Sequence, residues 1–359
     1  MDVLIAGGGT GGHLFPGIAL AQEVKRRDPN ARIVFVGSPR GIEKHAVPKA
    51  GFNLELLPVS GLRSQGFKSL ILGLLRLPVA VFKAFAVVAR FKPDIAVSCG
   101  GYAAGPAVLA ARILGIPCVV LEQNAIPGVT NRILGKLSRR IIAALPVKGF
   151  PDDKVRVLGN PVRADLIGVR ESTYQPETPI HLFVFGGSQG ARALNEAMME
   201  VCPKLEEKEL GIEVVHQVGR LDFARVREHY AKLGLKKVDA REFIDDMASE
   251  YTRADLILCR AGATTIAELT VCGRPAILVP FPFAVDDHQS ANARELEQCG
   301  AAIHLPQSEL SVDGLLALIE ELCADPQRLK KMAESAHEAG RPDAVKHIAD
   351  ALEQEVAHV

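Results

Sequence analysis

The chain has 359 residues, 48% apolar and 23% charged, a balance typical of globular proteins and long enough for two domains with separate cores. Lys plus Arg and Asp plus Glu stand at 42 each, so no global field draws the chain to nucleic acid. The seven cysteines are odd in number and form no C-x-x-C, which predicts a reduced, cytosolic protein; Asp2 and the early glycines predict no signal peptide, and no run of about 18 uncharged apolar residues predicts a membrane span.

Met1 to Gly17 reads M-D-V-L-I-A-G-G-G-T-G-G-H-L-F-P-G. Val3–Ala6 is a short run of buried-strand type that the glycines end abruptly. Pro16 opens a stretch in which Ile18, Leu20, Ala21 and Val24 recur at helical spacing. In a strand–loop–helix unit of this kind, the loop amides and the positive helix end point beyond the strand carboxyl ends, where anions bind. Gly7, Gly9 and Gly12 also satisfy G-x-G-x-x-G. A dinucleotide site, however, wants an acid at the end of the second strand, and Arg32–Val36 runs instead into Gly37-Ser38-Pro39. This disfavours an NAD-dependent oxidoreductase. What the loop offers is His13, an imidazole beside free amides, which reads either as a base working near neutral pH or as a group that bonds phosphate or holds the loop.

Further along, Leu54–Val59, Asp94–Ser98, Pro117–Leu121 and Arg140–Leu145 read as short strands. Helical patterns lie around Phe67–Arg90, Ala103–Leu114 and Val129–Leu137. Such alternation predicts parallel strands with crossover helices, a doubly wound sheet whose loops, Gly7–Gly12, Cys99–Tyr102 and Glu122–Asn124, face one crevice. Phe67–Phe91 carries more apolar side chains than one sheet-facing stripe requires, and Lys68, Arg76, Lys83 and Arg90 recur at spacings of eight, seven and seven, along one helix face. It reads either as a buried crossover helix with a solvated basic edge or as an interfacial surface for anionic lipid. Pro78 should kink or divide it.

Gly159-Asn160-Pro161-Val162-Arg163 closes the first half, and the polar, proline-containing stretch Glu171–Pro179 reads as a linker. The opening pattern then returns: His181–Phe185 as strand, Gly186-Gly187-Ser188-Gln189-Gly190 as loop, Ala191 onward as helix. The Ser188 loop is a second helix start suited to phosphate. Ile212–His216, Val238–Phe243, Asp255–Cys259 and Ala276–Val279 read as strands. Cys259–Glu268 is strand end, small-residue turn and helix, with Glu268 placed to accept ribose hydroxyls or simply to complement the helix dipole. Pro280-Phe281-Pro282 gives a rigid turn, and Gln289 offers a donor and an acceptor to sugar hydroxyls. From Ser311 the chain is helical to its end, and the last helix, Pro342–Val356, is expected to pack back across the domain junction. The organisation expected is an N-terminal Rossmann-like domain over 1–163, a C-terminal one over 164–340, and a terminal helix over 341–359.

With these segments in hand, the chain resembles the MurG family, bacterial transferases that add N-acetylglucosamine to the undecaprenyl-linked muramyl-pentapeptide precursor (lipid I) to give lipid II. The resemblance runs along nearly the whole chain: G-G-T-G-G-H-x-F-P-G at 8–17, G-G-Y at 100–102, Glu122-Gln123-Asn124, G-N-P-V-R at 159–163, G-G-S-Q-G-A at 186–191, F-I-D-D-M at 243–247 and the Ala263–Glu268 segment. Thr264 and His288 depart slightly from the family pattern. The resemblance implies two Rossmann-like α/β domains in the glycosyltransferase B architecture, with UDP-N-acetylglucosamine held mainly by the second. It places uracil at the Ile244 backbone under Phe243, the nucleotide along Ala263, Thr264, Thr265, Ile266 and Ala267, and the ribose at Glu268. The diphosphate falls to Ser188 and Arg163, the sugar to Asn124 and Gln289, and closure of the site to Thr10, Gly11 and Gly12. It also implies a peripheral protein on the cytoplasmic face of the cell membrane, facing anionic lipid.

The implied reaction is a single inverting displacement, which needs a base for the acceptor hydroxyl and stabilisation of the charge growing on the diphosphate. No Asp-x-Asp is present to hold a metal, and no metal or cofactor is expected; amides, helix ends and Arg163 would serve. His13 is the first candidate for the base and Glu122 the second, each with a structural role as its alternative. A UDP-N-acetylglucosamine 2-epimerase and a non-catalytic nucleotide-sugar sensor or membrane scaffold are the rival functions.

Overall fold

The structure, a computed structural model, describes residues 1–9, 11–39, 41–59, 66–187 and 189–358, with the backbone alone of 66–76 and 285. The chain forms two compact units, Met1–Val162 with Pro342–Val359, and Arg163–Arg341.

In the first unit the order is β1 (Val3–Gly7), α1 (Gly11–Arg27), β2 (Ile33–Gly37), α2 (Glu43–Lys49), β3 (Asn53–Leu56), α3 (Gly66–Phe91), β4 (Ile95–Gly100), α4 (Ala104–Ile113), β5 (Cys118–Glu122), α5 (Val129–Leu137), β6 (Arg140–Ala143) and β7 (Val155–Val157). All seven strands are parallel, in the order β3-β2-β1-β4-β5-β6-β7. Alternation along β1 divides the core. Val3 and Ile5 face a layer that includes Leu20, Val24, Ile348 and Leu352, while Leu4 and Ala6 face Ala84, Val88, Ala107 and Val108. Pro78 lies inside α3 without dividing it, for the buried stripe Ala80, Ala84, Val87 and Val88 continues at helical spacing beyond the proline. The C-terminal helix, numbered below, belongs to this unit. Arg27 Nη1 meets Asp350 at 2.6 Å and Glu353 at 3.1 Å, and Arg140 Nε meets Glu355 at 2.9 Å.

The second unit comprises α6 (Ala164–Val169), β8 (Ile180–Phe185), α7 (Arg192–Glu207), β9 (Ile212–Gln217), α8 (Phe223–Leu233), β10 (Val238–Arg241), α9 (Met247–Arg253), β11 (Leu256–Cys259), α10 (Ala263–Cys272), β12 (Ala276–Leu278), α11 (His288–Gln298), β13 (Ala302–His304), α12 (Val312–Cys323) and α13 (Pro326–Ala339). The terminal helix of the first unit is α14 (Ala344–Ala357). The second sheet is also all parallel, ordered β10-β9-β8-β11-β12-β13. Leu182 and Val184 face one core layer, and Phe183 and Phe185 pack on the Tyr251 ring on the other side.

Glu171–Pro179 differs from its sequence reading: it is strapped to the second unit, not strung as a linker. Tyr174 donates its hydroxyl to Asp255 O at 2.6 Å, and Arg274 Nη2 reaches Ser172 Oγ at 3.1 Å. The three-residue strands β7 and β13 are not read from the sequence because both are partly open to solvent and lack a sustained apolar run, whereas the equally short β12 is wholly buried and is read.

Candidate active site

Each sheet reverses its winding once, between β1 and β4 in the first unit and between β8 and β11 in the second. Loops at the carboxyl ends of the strands flanking such a switch point splay apart and leave a crevice for a ligand. In the first unit these are the loop before α1 and the Gly100–Ala103 turn; in the second, 186–190 and Arg260–Gly262.

In the first unit His13 is the third residue of α1, and Gly11 and Gly12 form the helix start. The imidazole lies against the end of β4: a Cβ on Gly100, whose φ is +91°, would stand 3.2 Å from His13 Cδ2 and 3.4 Å from Asn131 Nδ2. Asn131, buried on α5, is a node. Its Nδ2 donates to Leu121 O at 2.9 Å and to Glu122 Oε2 at 3.0 Å, and its Oδ1 accepts from Ser98 Oγ at 2.9 Å. Glu122 is 2% exposed and also accepts from Asn124 N at 3.0 Å and Gly128 N at 3.2 Å. Burial raises its carboxyl above the ordinary range, against the pull of these donors. His13 is half-buried at the start of α1, and the arrangement leaves both carboxylate oxygens of Glu122 engaged by loop and helix donors. Beside it, both amide atoms of Gln123 are buried without a partner among the described residues. A ligand that satisfied them would recover about 1–3 kcal/mol of desolvation.

In the second unit a polar network lies behind the glycine loop. Buried Gln217, at the end of β9, donates from Nε2 to Gly187 O at 3.0 Å. Asn195 Nδ2 donates to Val218 O and to Asp222 Oδ2, both at 3.0 Å, and its Oδ1 lies 3.1 Å from His216 Nε2. Burial pushes His216 down to about 4, so the ring is neutral between Asn195 and the Tyr230 hydroxyl. Across the switch point, Ala263 to Ala267 open α10, and Glu268 sits sixth in that helix. The Tyr251 hydroxyl, from a ring packed edge-on against Phe183 and Phe185, donates to Glu268 Oε2 at 3.0 Å. Burial pushes the Glu268 carboxyl up to about 7; the Tyr251 bond and the Arg163 guanidinium pull it down, and Asp165 pushes it further up. A half-buried carboxylate this reluctant to ionise is suited to a ligand that brings its own hydroxyl donors.

The neighbouring loop is clamped by Arg260, whose Nη1 donates to Val279 O and Pro280 O at 3.0 Å and whose guanidinium lies 5.6 Å over the Phe281 ring. Gln289 Oε1 accepts from Phe281 N at 2.9 Å, and Asn292 Nδ2 holds Ala261 O at 3.1 Å. Phe243 is exposed and Ile244 buried in the turn after β10. Arg163, half-exposed, lies 3.6 Å from Asp165.

Among the residues expected to act, Thr10 and Ser188 lie outside the described residues, as do the side chains of Lys68 and Arg76. Lys83 is exposed on α3. Arg90 is ion-paired with Glu55, so its charge is balanced within the protein. Sequence reasoning missed Asn131, Tyr251, Gln217 and Arg260, whose partners lie on other elements of the fold, 9 to 47 positions away; only the Asn-Pro and Arg-Ala-Gly contexts of ligand loops draw the eye, and none of these four except Arg260 stands in one. A cavity of about 320 Å³ lined by Tyr174, His181, Asp255 and Arg274 lies around the amino ends of β8 and β11, the opposite edge from these loops. No helix among the described residues is long and apolar enough to cross a membrane.

The chain matches the glycosyltransferase family 28 N-terminal domain over residues 3–143 and the family 28 C-terminal domain over residues 181–348. It is 49% identical over 352 residues to the UDP-N-acetylglucosamine--N-acetylmuramyl-(pentapeptide) pyrophosphoryl-undecaprenol N-acetylglucosamine transferase of Myxococcus xanthus, covering 98% of this chain and 92% of that one. Among solved structures, MurG of Acinetobacter baumannii superposes with a TM-score of 0.81 at 33% identity, over 98% of this chain and 99% of that chain. The UDP-GlcNAc 2-epimerase of Neisseria meningitidis, at 15% identity with a TM-score of 0.69 over 99% of this chain and 100% of that chain, shares the fold alone.

Proposed function

The chain belongs to the MurG family of glycosyltransferases, and from that premise we propose that it moves N-acetylglucosamine from UDP-N-acetylglucosamine to lipid I, giving lipid II for peptidoglycan. The observation that carries this is the 49% identity over 98% of the chain, a span that contains the loops of both switch points. It is a hexosyltransferase of glycosyltransferase B architecture, and the epimerase alternative rests on fold likeness alone.

At residue level the second unit takes the donor. Glu268 accepts the ribose hydroxyls, and what supports this is a half-buried carboxylate with one fixed donor among the described residues, Tyr251, on a helix that starts at the switch point. Ala263 to Ala267 offer helix-start amides along the nucleotide, with small side chains at Ala263, Thr264, Thr265 and Ala267 and Ile266 turned into the core, and uracil lies against the Ile244 backbone under exposed Phe243. Gln289, its Oε1 already engaged by Phe281 N, has its amide NH₂ for a sugar hydroxyl. Arg163, Ser188 and the α7 start serve the diphosphate, Asn124 the sugar, and Thr10 to Gly12 the closure.

The chemistry is one displacement. The acceptor hydroxyl oxygen bonds to the anomeric carbon, the bond from that carbon to the phosphate oxygen breaks, and the hydroxyl proton passes to the His13 imidazole. UDP leaves with the electron pair, stabilised by amides and Arg163. The positive end of α1 disfavours a charge on His13 before the proton arrives, as a base requires. The first unit is also the membrane side: Leu77, Val79 and Phe82 are exposed on α3 beside Lys83, a combination fit for the anionic cytoplasmic leaflet that holds the lipid-linked acceptor.

The test is transfer of labelled N-acetylglucosamine to a lipid I analogue by purified protein. Donor turnover without acceptor would instead identify an epimerase, and donor binding without turnover a sensor.

A further inference from the structure

The first glycine loop already contains an anion. Glu43, the first residue of α2, is completely buried. Its Oε2 accepts from Gly9 N at 2.9 Å, and its Oε1 accepts from Ser38 N and Ser38 Oγ, both at 2.8 Å. The carboxylate thus ties the loop after β1 to the turn after β2. The glycines around it are spaced for it: a Cβ on Gly37 would stand 2.6 Å from Glu43 Cγ, and a Cβ on Gly8 would overlap the carboxylate itself. Burial alone would raise this carboxyl, but the Gly9 and Ser38 amides outweigh it and hold it below the ordinary range, so it is charged at neutral pH.

We propose that Glu43 is a positioning residue of the transfer site: its carboxylate is the internal anion around which the first glycine loop folds, and it fixes the backbone that delivers His13. The inference rests on His13 acting as the base, as proposed above. Glu43 touches neither donor nor acceptor. It holds the Gly9 amide, and four residues later the same segment carries the imidazole at the start of α1. Loss of the charge leaves the Gly9 and Ser38 donors competing for one neutral oxygen, and the loop relaxes.

Glu43→Gln is isosteric, and its amide nitrogen would face amide donors. The expected result is a fall in kcat between about tenfold and a hundredfold, the scale for a small misplacement of a catalytic group, with the donor KM within about twofold. Hydrogen exchange should rise in peptides covering 7–13 and 37–43 and nowhere else. Ser38→Ala, which removes one donor and keeps the carboxylate, should give the same pattern more weakly, and it carries the test should Glu43→Gln not fold. An unchanged kcat in folded Glu43→Gln overturns the proposal. So does a donor KM that rises with the loss of kcat, or exchange that rises across the whole first unit, since Glu43 would then merely hold the domain together. If the parent protein transfers no sugar, the functional reading fails, while the exchange pattern still decides whether Glu43 organises this loop.

Discussion

Donor binding should depend on pH through Glu268, in a direction that its surroundings dictate. In the free protein burial holds this carboxyl near 7, against an ordinary value of 4.5. Two ribose hydroxyls donating to it favour the ionised form and lower the value in the complex. A group whose affinity for protons is lower in the complex must release its proton on binding, so affinity is full above pH 7 and falls as the pH drops below it. Between pH 8 and pH 6 the dissociation constant for UDP-N-acetylglucosamine should therefore rise about tenfold, or about 1.4 kcal/mol. The donor itself is a diphosphate diester with no proton to gain in this range, which makes it a better probe than UDP. Calorimetry in two buffers of different ionisation enthalpy would read both the affinity and the proton released. Glu268→Gln should bind more weakly at pH 8 and lose the pH dependence. The folded protein pays in the opposite sense: because the folded carboxyl holds its proton more tightly than the unfolded one, this group's contribution to stability declines by about 3 kcal/mol as the pH rises from 4.5 through 7. An affinity flat from pH 8 to 6, or one that improves on acidification, would refute the assignment of the ribose to Glu268.

Glu268→Ala should raise the donor KM more than it lowers kcat, by roughly 1.5–3 kcal/mol for a lost charged hydrogen bond; steady-state kinetics at saturating acceptor check this. His13→Ala should lower kcat by about 10²–10⁴-fold while leaving UDP affinity intact, as measured by UDP titration; loss of UDP binding with the rate preserved would mark His13 as a phosphate ligand instead. Replacing Lys68, Arg76, Lys83 and Arg90 with Gln should weaken co-sedimentation with anionic vesicles, by about 1 kcal/mol for each cation that meets the leaflet, and spare activity on a short, water-soluble acceptor. Arg90, paired with Glu55, should contribute least of the cations.

The doubly wound plan was legible because it rests on local signals. Apolar runs such as Val3–Ala6 and His181–Phe185 end in glycines and lead into helical periodicity, and two such units in one chain point to two doubly wound sheets, which share the order of their first six strands, the first adding a seventh at its edge. The side chains that shape the loops were not, because strand order makes neighbours of residues that the chain separates. Gln217 reaches Gly187 across thirty positions, and Asn131 reaches Ser98 across thirty-three. Glu43 is the instructive case. The absence of an acid directly after Val36 told against a dinucleotide, yet an acid stands at the start of α2, where its carboxylate accepts the protein's own Gly9 and Ser38 amides. The signal that could have found it is the pair Gly37 and Gly41 bracketing the approach to an otherwise unexplained glutamate.

That carboxylate also distinguishes two loops that look alike in sequence. Behind the first, Glu43 accepts the Gly9 amide and leaves a buried negative charge; behind the second, Gln217 donates to the Gly187 carbonyl and leaves none. Asp222, which Asn195 touches near the second loop, is ion-paired with Arg225 at 3.1 Å. A donor phosphate about 6 Å from the Glu43 carboxylate, which has no ion pair among the described residues, would meet roughly 3 kcal/mol of repulsion at an effective dielectric constant of 20. The same phosphate beside the second loop would meet carbonyls already engaged and the positive start of the sixteen-residue helix α7. Glycine spacing alone cannot express this difference, because it records where the backbone can bend and not which charge it bends around. On the function proposed above, what lies behind each loop favours the second unit for the donor diphosphate and leaves the first loop to carry the base.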